Sequence, residues 1–206
     1  MMTASSGSRI DHRQHRPAAG DTAAKSVCVD GGEYELYWPA ELSGIECEQL
    51  LFLYDEVARN EATHGFSGAI DNEVGRGIVR AEAESLSAGQ ILMLLARDSE
   101  GIVGSLVLQP YTSHSRKHTL AAKRAVAARR SRGTFFPLMA DTAIERAVAI
   151  GAEVITCEVA ADGPLNLWKS WGFIEYGVMP DYARRHGKSL HGHFLYLPLA
   201  AKCSSA

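Results

Sequence analysis

The sequence lacks the residue spacings that crosslink a chain or hold a metal ion, although it contains eight histidines. Its four cysteines, at positions 28, 47, 157 and 203, are scattered without CxxC spacing. The pair His191 and His193 places two rings on one side of a strand, which alone is a weak metal pattern. No signal-peptide pattern and no apolar run of membrane length is visible. These absences predict a protein of the reducing cytoplasm with no disulfide framework, no metal site and no membrane partner.

Neither sign of charge is in large excess, because the net charge is only −3 over 206 residues. This balance argues against general nucleic-acid binding. Basic residues nevertheless cluster in one part of the chain: Arg116, Lys117, Lys123, Arg124, Arg129, Arg130 and Arg132. A cluster of this kind indicates either a site for a small anion or a solvated basic loop.

The first 26 residues lack large apolar side chains and are rich in Ser, Ala, Arg and His. Such a segment cannot bury enough surface to offset the entropy of ordering. We therefore predict a disordered tail over residues 1–26 and a single domain over 27–206, whose 46% hydrophobic content can form a core.

Periodicity predicts an alternation of strands and helices over the rest of the chain. The predicted strands cover residues 33–38, 91–96, 102–108, 118–127, 153–159, 173–178 and 193–199. The predicted helices cover 45–59, 70–86, 136–150 and a short segment that ends at Trp171. This order is typical of a mixed α/β sheet with one central crossover.

The most informative stretch is the turn Arg130-Ser131-Arg132-Gly133-Thr134-Phe135-Phe136-Pro137. It stands between a strand-like run and a strongly amphipathic helix, whose first turn suits Pro137. Free N–H groups at a helix N-terminus, together with guanidinium groups, form a site for phosphate. The turn therefore predicts an anion-binding site.

The order of elements, the turn with Arg130 and Gly133, and the later segment Leu167-Trp168-Lys169-Ser170-Trp171-Gly172-Phe173 resemble the GNAT superfamily of N-acetyltransferases. The resemblance covers roughly residues 33–199. Within it, Met179-Pro180-Asp181-Tyr182, Gly187-Lys188-Ser189-Leu190-His191, Gln49-Leu50-Leu51-Phe52 and Gly65-Phe66 are similar to the tabtoxin-resistance type of acetyltransferase. It implies the GNAT fold, a mixed and mostly antiparallel α/β sheet (α+β in some schemes) of about seven strands flanked by about four helices.

The resemblance also implies acetyl-CoA as the co-substrate. The pantetheine arm would lie along the backbone of Ala125, Val126 and Ala127. The pyrophosphate would lie on the turn formed by Arg130, Ser131, Arg132, Gly133, Thr134 and Phe135, where Phe135 replaces the superfamily's usual small residue. Asn166 and Trp168 in the short helix are further candidates for contact with the coenzyme.

Two side chains that commonly act in this superfamily are missing. The position of the usual glutamate base holds Thr119, and the position of the usual tyrosine holds Trp168, whose indole is not an acid near neutral pH. The remaining candidates for proton transfer are His191 and Tyr182, then His118, whose imidazole titrates in the useful range. Glu61 and His64 are candidates on the acceptor side.

The leading expectation is therefore an N-acetyltransferase that passes acetyl from acetyl-CoA to a small-molecule amine by direct attack, with a homodimer possible. One alternative is a GNAT-like protein that binds acyl-CoA without catalysis. Another is a GNAT-fold enzyme with other acyl-CoA chemistry, in which Thr119 and His118 would be the pair of interest.

Overall fold

A computed structural model describes residues 24–29, 31–61, 68–131, 135–185 and 187–199, with backbone alone for residues 60 and 61. Eight strands in this described part form one sheet, in the order β1-β2-β3-β4-β5-β6-β8-β7. The strands are β1 (Lys25–Val29), β2 (Gly32–Tyr37), β3 (Leu92–Asp98), β4 (Gly101–Pro110), β5 (Thr119–Ala127), β6 (Val154–Ala160), β7 (Ile174–Arg185) and β8 (Lys188–Pro198). Neighbours are antiparallel except for β5 and β6, which are parallel.

Four α-helices in the described residues pack on the two faces of this sheet. They are α1 (Gly44–Glu61), α2 (Asn72–Ser87), α3 (Phe136–Ala149) and α4 (Leu165–Ser170). Successive residues of β4 show the two faces, because side chains alternate along a strand. Ser105 meets Tyr54 of α1, whereas Gly104 lies beneath Met139 of α3. Thus α1 and α2 cover one face, which we call the α1/α2 face, and α3 and α4 cover the other.

Strand β1 was not predicted, and it makes the sheet one strand wider than expected. Lys25 and Ser26, which the sequence assigns to the tail, pair with Leu36 and Glu35 of β2. The hairpin turns at Gly31, whose φ of 81° suits glycine. The strand was missed because its apolar run is only three residues long, Val27 to Val29, and Val27 alone of its side chains packs against the core.

The helix boundaries follow from local capping. Helix α2 begins at Asn72, two residues later than predicted, because the Asp71 carboxylate accepts hydrogen bonds from the backbone N–H groups of Glu73 and Val74 at 2.9 and 3.2 Å. Helix α3 begins at Phe136 as predicted, with Pro137 in its first turn.

None of the described helices is long and apolar enough to cross a membrane.

The C-terminal hairpin is longer than predicted. The sequence predicts a loop between residues 178 and 193, but β7 and β8 pair through most of this region and turn at Gly187, which has a φ of 74°. Irregular register near Met179 and Ala183 lets β7 bend without ending. Tyr182 therefore lies in a strand and not in a loop, which corrects its predicted setting.

Replacing Gly77 by alanine is expected to stabilise the protein by about 0.5–1 kcal/mol, because glycine in a helix interior is entropically costly. Gly77 is exposed in the middle of α2, and a Cβ built there meets nothing within 4 Å. Urea denaturation followed by circular dichroism measures the change. An unchanged or lower midpoint would contradict this view of α2.

Candidate functional site

The sheet opens between its two parallel strands. Residues Thr119–Ala121 of β5 pair with Val154–Thr156 of β6, and no further β5–β6 pair follows among the described residues. Strand β5 continues to Ala127, while β6 continues to Ala160 alongside β8. Backbone N–H and C=O groups on the facing edges of the two strands are therefore available to a bound chain. We call this opening the gap.

A β-bulge lies in β5 where it borders the gap. Ser105 of β4 pairs with Val126, but Val107 pairs with Lys123, so two residues of β5 stand opposite one residue of β4. One of these two is Arg124, whose φ of 50° is unusual for a residue with a side chain. The bulge turns the backbone at Arg124 and Ala125 out of the regular ladder. Strands use such bulges to re-aim groups next to functional sites.

Glu82 of α2 and Tyr54 of α1 hold this bulge from the α1/α2 face. Arg124 Nε donates to Glu82 Oε1 at 2.9 Å, and the Tyr54 hydroxyl donates to Glu82 Oε2 at 2.8 Å. Tyr54 also lies 3.4 Å from the Ser105 hydroxyl. Burial raises the pKa of Glu82, although Arg124 and the Tyr54 hydroxyl act in the opposite direction.

Beyond the bulge, β5 leads to a short 3-10 turn (Arg129–Ser131) and then to α3. Residues Arg132, Gly133 and Thr134 of the predicted anion site lie outside the described residues. No described side chain caps the start of α3, and its first turn has no acidic residue. The Ser131 hydroxyl is buried and has no hydrogen-bond partner among the described residues. These features leave the positive end of α3 suited to an anion.

The Arg130 side chain, a candidate for binding the coenzyme, is engaged by acidic residues. Its Nε and Nη2 lie 3.2 and 3.3 Å from the two carboxylate oxygens of Asp98, and Glu100 lies 3.7 Å away. Its side chain is 41% exposed. The guanidinium thus links the turn to the β3–β4 hairpin.

Phe135 occupies the position where the sequence departs from the superfamily pattern, and its side chain is fully buried. Its ring stacks on Tyr34 of β2 with centroids 5.1 Å apart. Gly104 of β4 leaves the room, since a Cβ there would stand 2.7 Å from the ring. The large residue is therefore accommodated in the core, and only the backbone of Phe135 is left to face a ligand.

On the other side of the gap, Asn166 and Trp168 lie in α4. Asn166 is exposed, whereas Trp168 is buried. The Trp168 indole meets Trp171 and Phe173 edge to face, with centroids 5.2 and 5.0 Å away. Trp168 also lines a narrow apolar cavity between α3 and the sheet, together with Ala122 of β5 and Ile155 of β6.

A carboxylate and an aromatic cluster lie beside the gap on the α1/α2 face. Glu158 lies in β6, two residues past the last pair with β5, and accepts a hydrogen bond of 2.9 Å from the Tyr182 hydroxyl. The Tyr182 ring rests over Gly192 and meets Phe194 edge to face. Burial, together with Glu158, raises the pKa of Tyr182 to about 12. Tyr182 is therefore a neutral donor at physiological pH.

Comparison with solved structures decides the fold, although no protein-family model and no curated protein matches the sequence. The chain has the GNAT fold. An N-acetyltransferase from Staphylococcus aureus matches with a TM-score of 0.68 at 12% identity, over 80% of this chain and 98% of that one. A phosphinothricin acetyltransferase from Sinorhizobium meliloti, in complex with acetyl-CoA, gives 0.66 at 14% over 79% and 88%. A ribosomal-protein-alanine N-acetyltransferase from Brucella melitensis gives 0.64 at 19% over 78% and 98%.

Within this GNAT fold the structure does not bring His191 and Tyr182 together. Strand alternation places His191 on the same face as His193, which lies 2.8 Å from Glu175 near α4. Gly192 and Phe194 share the opposite face with Tyr182. His191 is exposed.

The other candidates for proton transfer lie elsewhere. Thr119 is buried at the closed end of the gap, paired with Val154. His118 is exposed just before β5, where its carbonyl accepts a hydrogen bond from the Glu153 backbone N–H. Glu61 is the last residue of α1 and its side chain is not described, while His64 lies outside the described residues. No group of three or more candidate metal ligands occurs in the part of the chain that the structure describes.

Sequence reasoning missed Glu82 and Glu158, two carboxylates of the described residues that flank the gap on the α1/α2 face. The signal for Glu82 was available, because a glutamate stands in the weak apolar stripe of α2. A charge at such a position requires a partner. Glu158 had a weaker signal, as an acidic residue within the apolar run of β6.

Proposed function

We propose that the protein is an N-acetyltransferase that transfers acetyl from acetyl-CoA to a small-molecule amine by direct attack. The observation that carries this proposal is the gap between β5 and β6, with a bulge on its edge and, at its end, a helix that no described side chain caps. A long ligand with amide groups along its arm and a pyrophosphate at one end fits this combination of sites. Acetyl-CoA has these groups and supplies the reactive thioester.

Different residues would bind different parts of the coenzyme. The backbone of Ala125, Val126 and Ala127 would bind the pantetheine arm at the edge of β5. The turn of Arg130, Ser131, Arg132, Gly133, Thr134 and Phe135 would bind the pyrophosphate through its N–H groups, aided by the buried Ser131 hydroxyl. Trp168 would form an apolar wall of the gap, and Asn166 lies exposed on the same helix.

Direct attack is favoured over an acyl-cysteine intermediate. Cys157 lies in β6, just past the last pair with β5. Burial raises the pKa of its thiol to about 12, with a smaller contribution from Glu158. A thiol with that pKa is almost entirely protonated at neutral pH and is a poor nucleophile. The amine is therefore left as the group that attacks the thioester.

A small cationic amine is the acceptor class that the α1/α2 face supports. Glu158 offers negative charge, and the rings of Tyr182 and Phe194 offer apolar and cation–π contacts. Two further rings, Tyr176 and Tyr196, continue this cluster. An ammonium group is stabilised by both kinds of neighbour.

A second candidate function is acyl-CoA binding without catalysis. Two positions favour it. Thr119 is buried and has no basic group, and Trp168 is buried in the wall of the apolar cavity with an indole that cannot act as an acid. If no other residue takes over proton transfer from these two positions, the gap would bind the coenzyme but no acetyl transfer would occur.

Calorimetry and thiol release test the two functions together. We expect acetyl-CoA to bind, and at least one amine of a broad panel to release free CoA thiol. We expect Arg132→Ala to weaken binding about tenfold through loss of a charged hydrogen bond. Arg130→Ala should change affinity less than about threefold, because Asp98 already engages that guanidinium.

Each outcome separates one reading from the others. An absence of acetyl-CoA binding would end the proposed transferase function, and an absence of binding to any acyl-CoA would end the second candidate as well. Binding without thiol release from any amine would leave the non-catalytic function in place of the transferase. A tenfold loss on Arg130→Ala, with Arg132→Ala unchanged, would show that the two arginines have the opposite roles.

A further inference from the structure

We infer that Glu82 is the proton acceptor that deprotonates the attacking ammonium group. This inference rests on the proposed transferase function and names its general base. In the described part of the chain, Glu82 is the carboxylate that contacts a side chain of the β5 bulge. It lies on α2, so the base comes from a helix and not from the strand where Thr119 stands.

The position of Glu82 follows from the bulge. Arg124 immediately precedes Ala125, the first residue of the proposed pantetheine-binding edge, and its Nε lies 2.9 Å from Glu82 Oε1. The ion pair therefore fixes the carboxylate beside the part of β5 that borders the gap. The Glu82 side chain keeps 15% of its surface exposed, so it is reachable from solvent.

The two neighbours of the carboxylate orient it without using all its accepting capacity. One oxygen accepts from Arg124 and the other from Tyr54, and each carboxylate oxygen has two accepting positions. Among the described residues, Arg124 from β5 and Tyr54 from α1 are the charged and titratable groups that face Glu82 from the packed elements. A fixed carboxylate with accepting positions to spare can take a proton directly or through one water.

Burial adds the second property that a base needs. It raises the pKa of Glu82 above the ordinary value of a glutamate, while burial and Glu82 together hold the pKa of Tyr54 well above its own ordinary value. Tyr54 thus remains a donor. A carboxylate with a raised pKa is better matched to abstraction of a proton near neutral pH.

The proposed step balances as follows. Glu82 takes one proton from the ammonium nitrogen, and the freed lone pair forms the C–N bond at the thioester carbon. The C–S bond breaks with its electron pair on sulfur, and the second nitrogen proton neutralises the thiolate. The products are the acetylated amine, the CoA thiol and one proton, which Glu82 returns to solvent.

The rate of thiol release should be measured against pH for the full chain, Glu82→Gln, Glu82→Asp and the control Glu84→Gln. Glu84 lies exposed on the same helix. We expect Glu82→Gln to lower kcat at least about 100-fold near pH 7. The remaining rate should rise about tenfold per pH unit up to the amine's own pKa, which for a lysine-like amine is about 10.4. Glu82→Asp should restore part of the loss, and Glu84→Gln should leave the profile unchanged.

Tyr54→Phe provides a readout that a purely structural role would not move. Removing a donor to the ionised carboxylate raises the pKa of Glu82, so the rising limb of kcat against pH should shift to higher pH while the plateau is kept. The acetyl-CoA affinity and thermal midpoint of each variant show whether it remains folded. If Tyr54→Phe does not fold, the rising limb of kcat against pH is measured in Glu82→Asp instead.

Two results would overturn the assignment. An unchanged kcat profile in Glu82→Gln would remove Glu82 from the chemistry while the transferase function stands. An equal fall of kcat at every pH, without recovery at high pH, would make the Glu82–Arg124 pair a structural brace. If the unaltered protein binds acetyl-CoA but acetylates no amine, the proposed function itself fails, and the assignment fails with it.

Glu158→Gln separates the two carboxylates of this face. Because Glu158 is proposed to bind the acceptor, its loss should raise the KM for the amine with little change in the pH profile of kcat. If Glu158→Gln lost the rising limb of kcat against pH while Glu82→Gln kept the profile of the parent, Glu158 would be the base and the inference would be overturned.

Discussion

Phe135→Ala is expected to lower the free energy of unfolding by about 3–5 kcal/mol, the range for removing a large buried aromatic ring. The ring is fully buried and stacks on Tyr34. It fills the room that Gly104 leaves above β4, so its loss opens a cavity between the sheet and α3. Urea denaturation, followed by tryptophan fluorescence and circular dichroism, measures the change.

Phe52→Ala is the matched control, because Phe52 is 68% exposed on α1. Its loss should change stability by less than about 0.5 kcal/mol. A fall of less than about 1 kcal/mol in Phe135→Ala would contradict a packed aromatic core beneath the predicted anion site, since buried truncations of this kind cost several times more. In that event Phe135 would be free to face a ligand directly.

Gly192→Ala is expected to raise the KM for the acceptor at least about tenfold, which corresponds to about 1.4 kcal/mol of lost binding. A Cβ at this position would stand 2.7 Å from Tyr182 Cβ and closer still to its ring. These atoms are at the base of the side chain, so Tyr182 cannot avoid the clash by moving only its tip. The displaced hydroxyl would leave Glu158 without its donor. Steady-state kinetics with the best amine of the panel measures the effect.

Gly177→Ala serves as the control in the same hairpin, because a Cβ there meets nothing within 4 Å. Its KM should stay within about twofold of the parent, as expected of an open surface site. In the Gly192→Ala, Tyr182→Ala double variant the KM for the acceptor should be little higher than in Gly192→Ala alone, since the two changes act on one contact. Additive losses would mean that Gly192 and Tyr182 act separately, and would refute the proposed arrangement.

The fold could be predicted because burial leaves a periodic trace in the sequence. The amphipathic pattern of α3 and the apolar runs of β3 and β4 each report a packed face, and the mixed, mostly antiparallel sheet they predict is confirmed. Strand β1 left only a short trace, the three apolar residues from Val27 to Val29. Its pairing with β2 depends mainly on backbone hydrogen bonds, which residues of any type except proline can form.

The candidate site was less predictable because its key relations join residues far apart in the chain. Arg124 and Glu82 are 42 residues apart, and Tyr182 and Glu158 are 24 apart. The left-handed backbone of Arg124 has no sequence signature, since such a conformation is expected of glycine. The anion site at the start of α3, by contrast, could be proposed from local chemistry alone.

The short parallel junction between β5 and β6 has a consequence for how the molecule unfolds. It joins the sheet of β1–β5 to that of β6–β8 through residues Thr119–Ala121 and Val154–Thr156. Few main-chain bonds resist separation there, so partial opening along this seam costs less than global unfolding. A ligand that bonds to both strands closes the seam and adds RT ln(1 + [L]/Kd), about 2.7 kcal/mol at a hundredfold excess over Kd. Amide exchange and proteolytic lifetime would then follow the supply of that ligand.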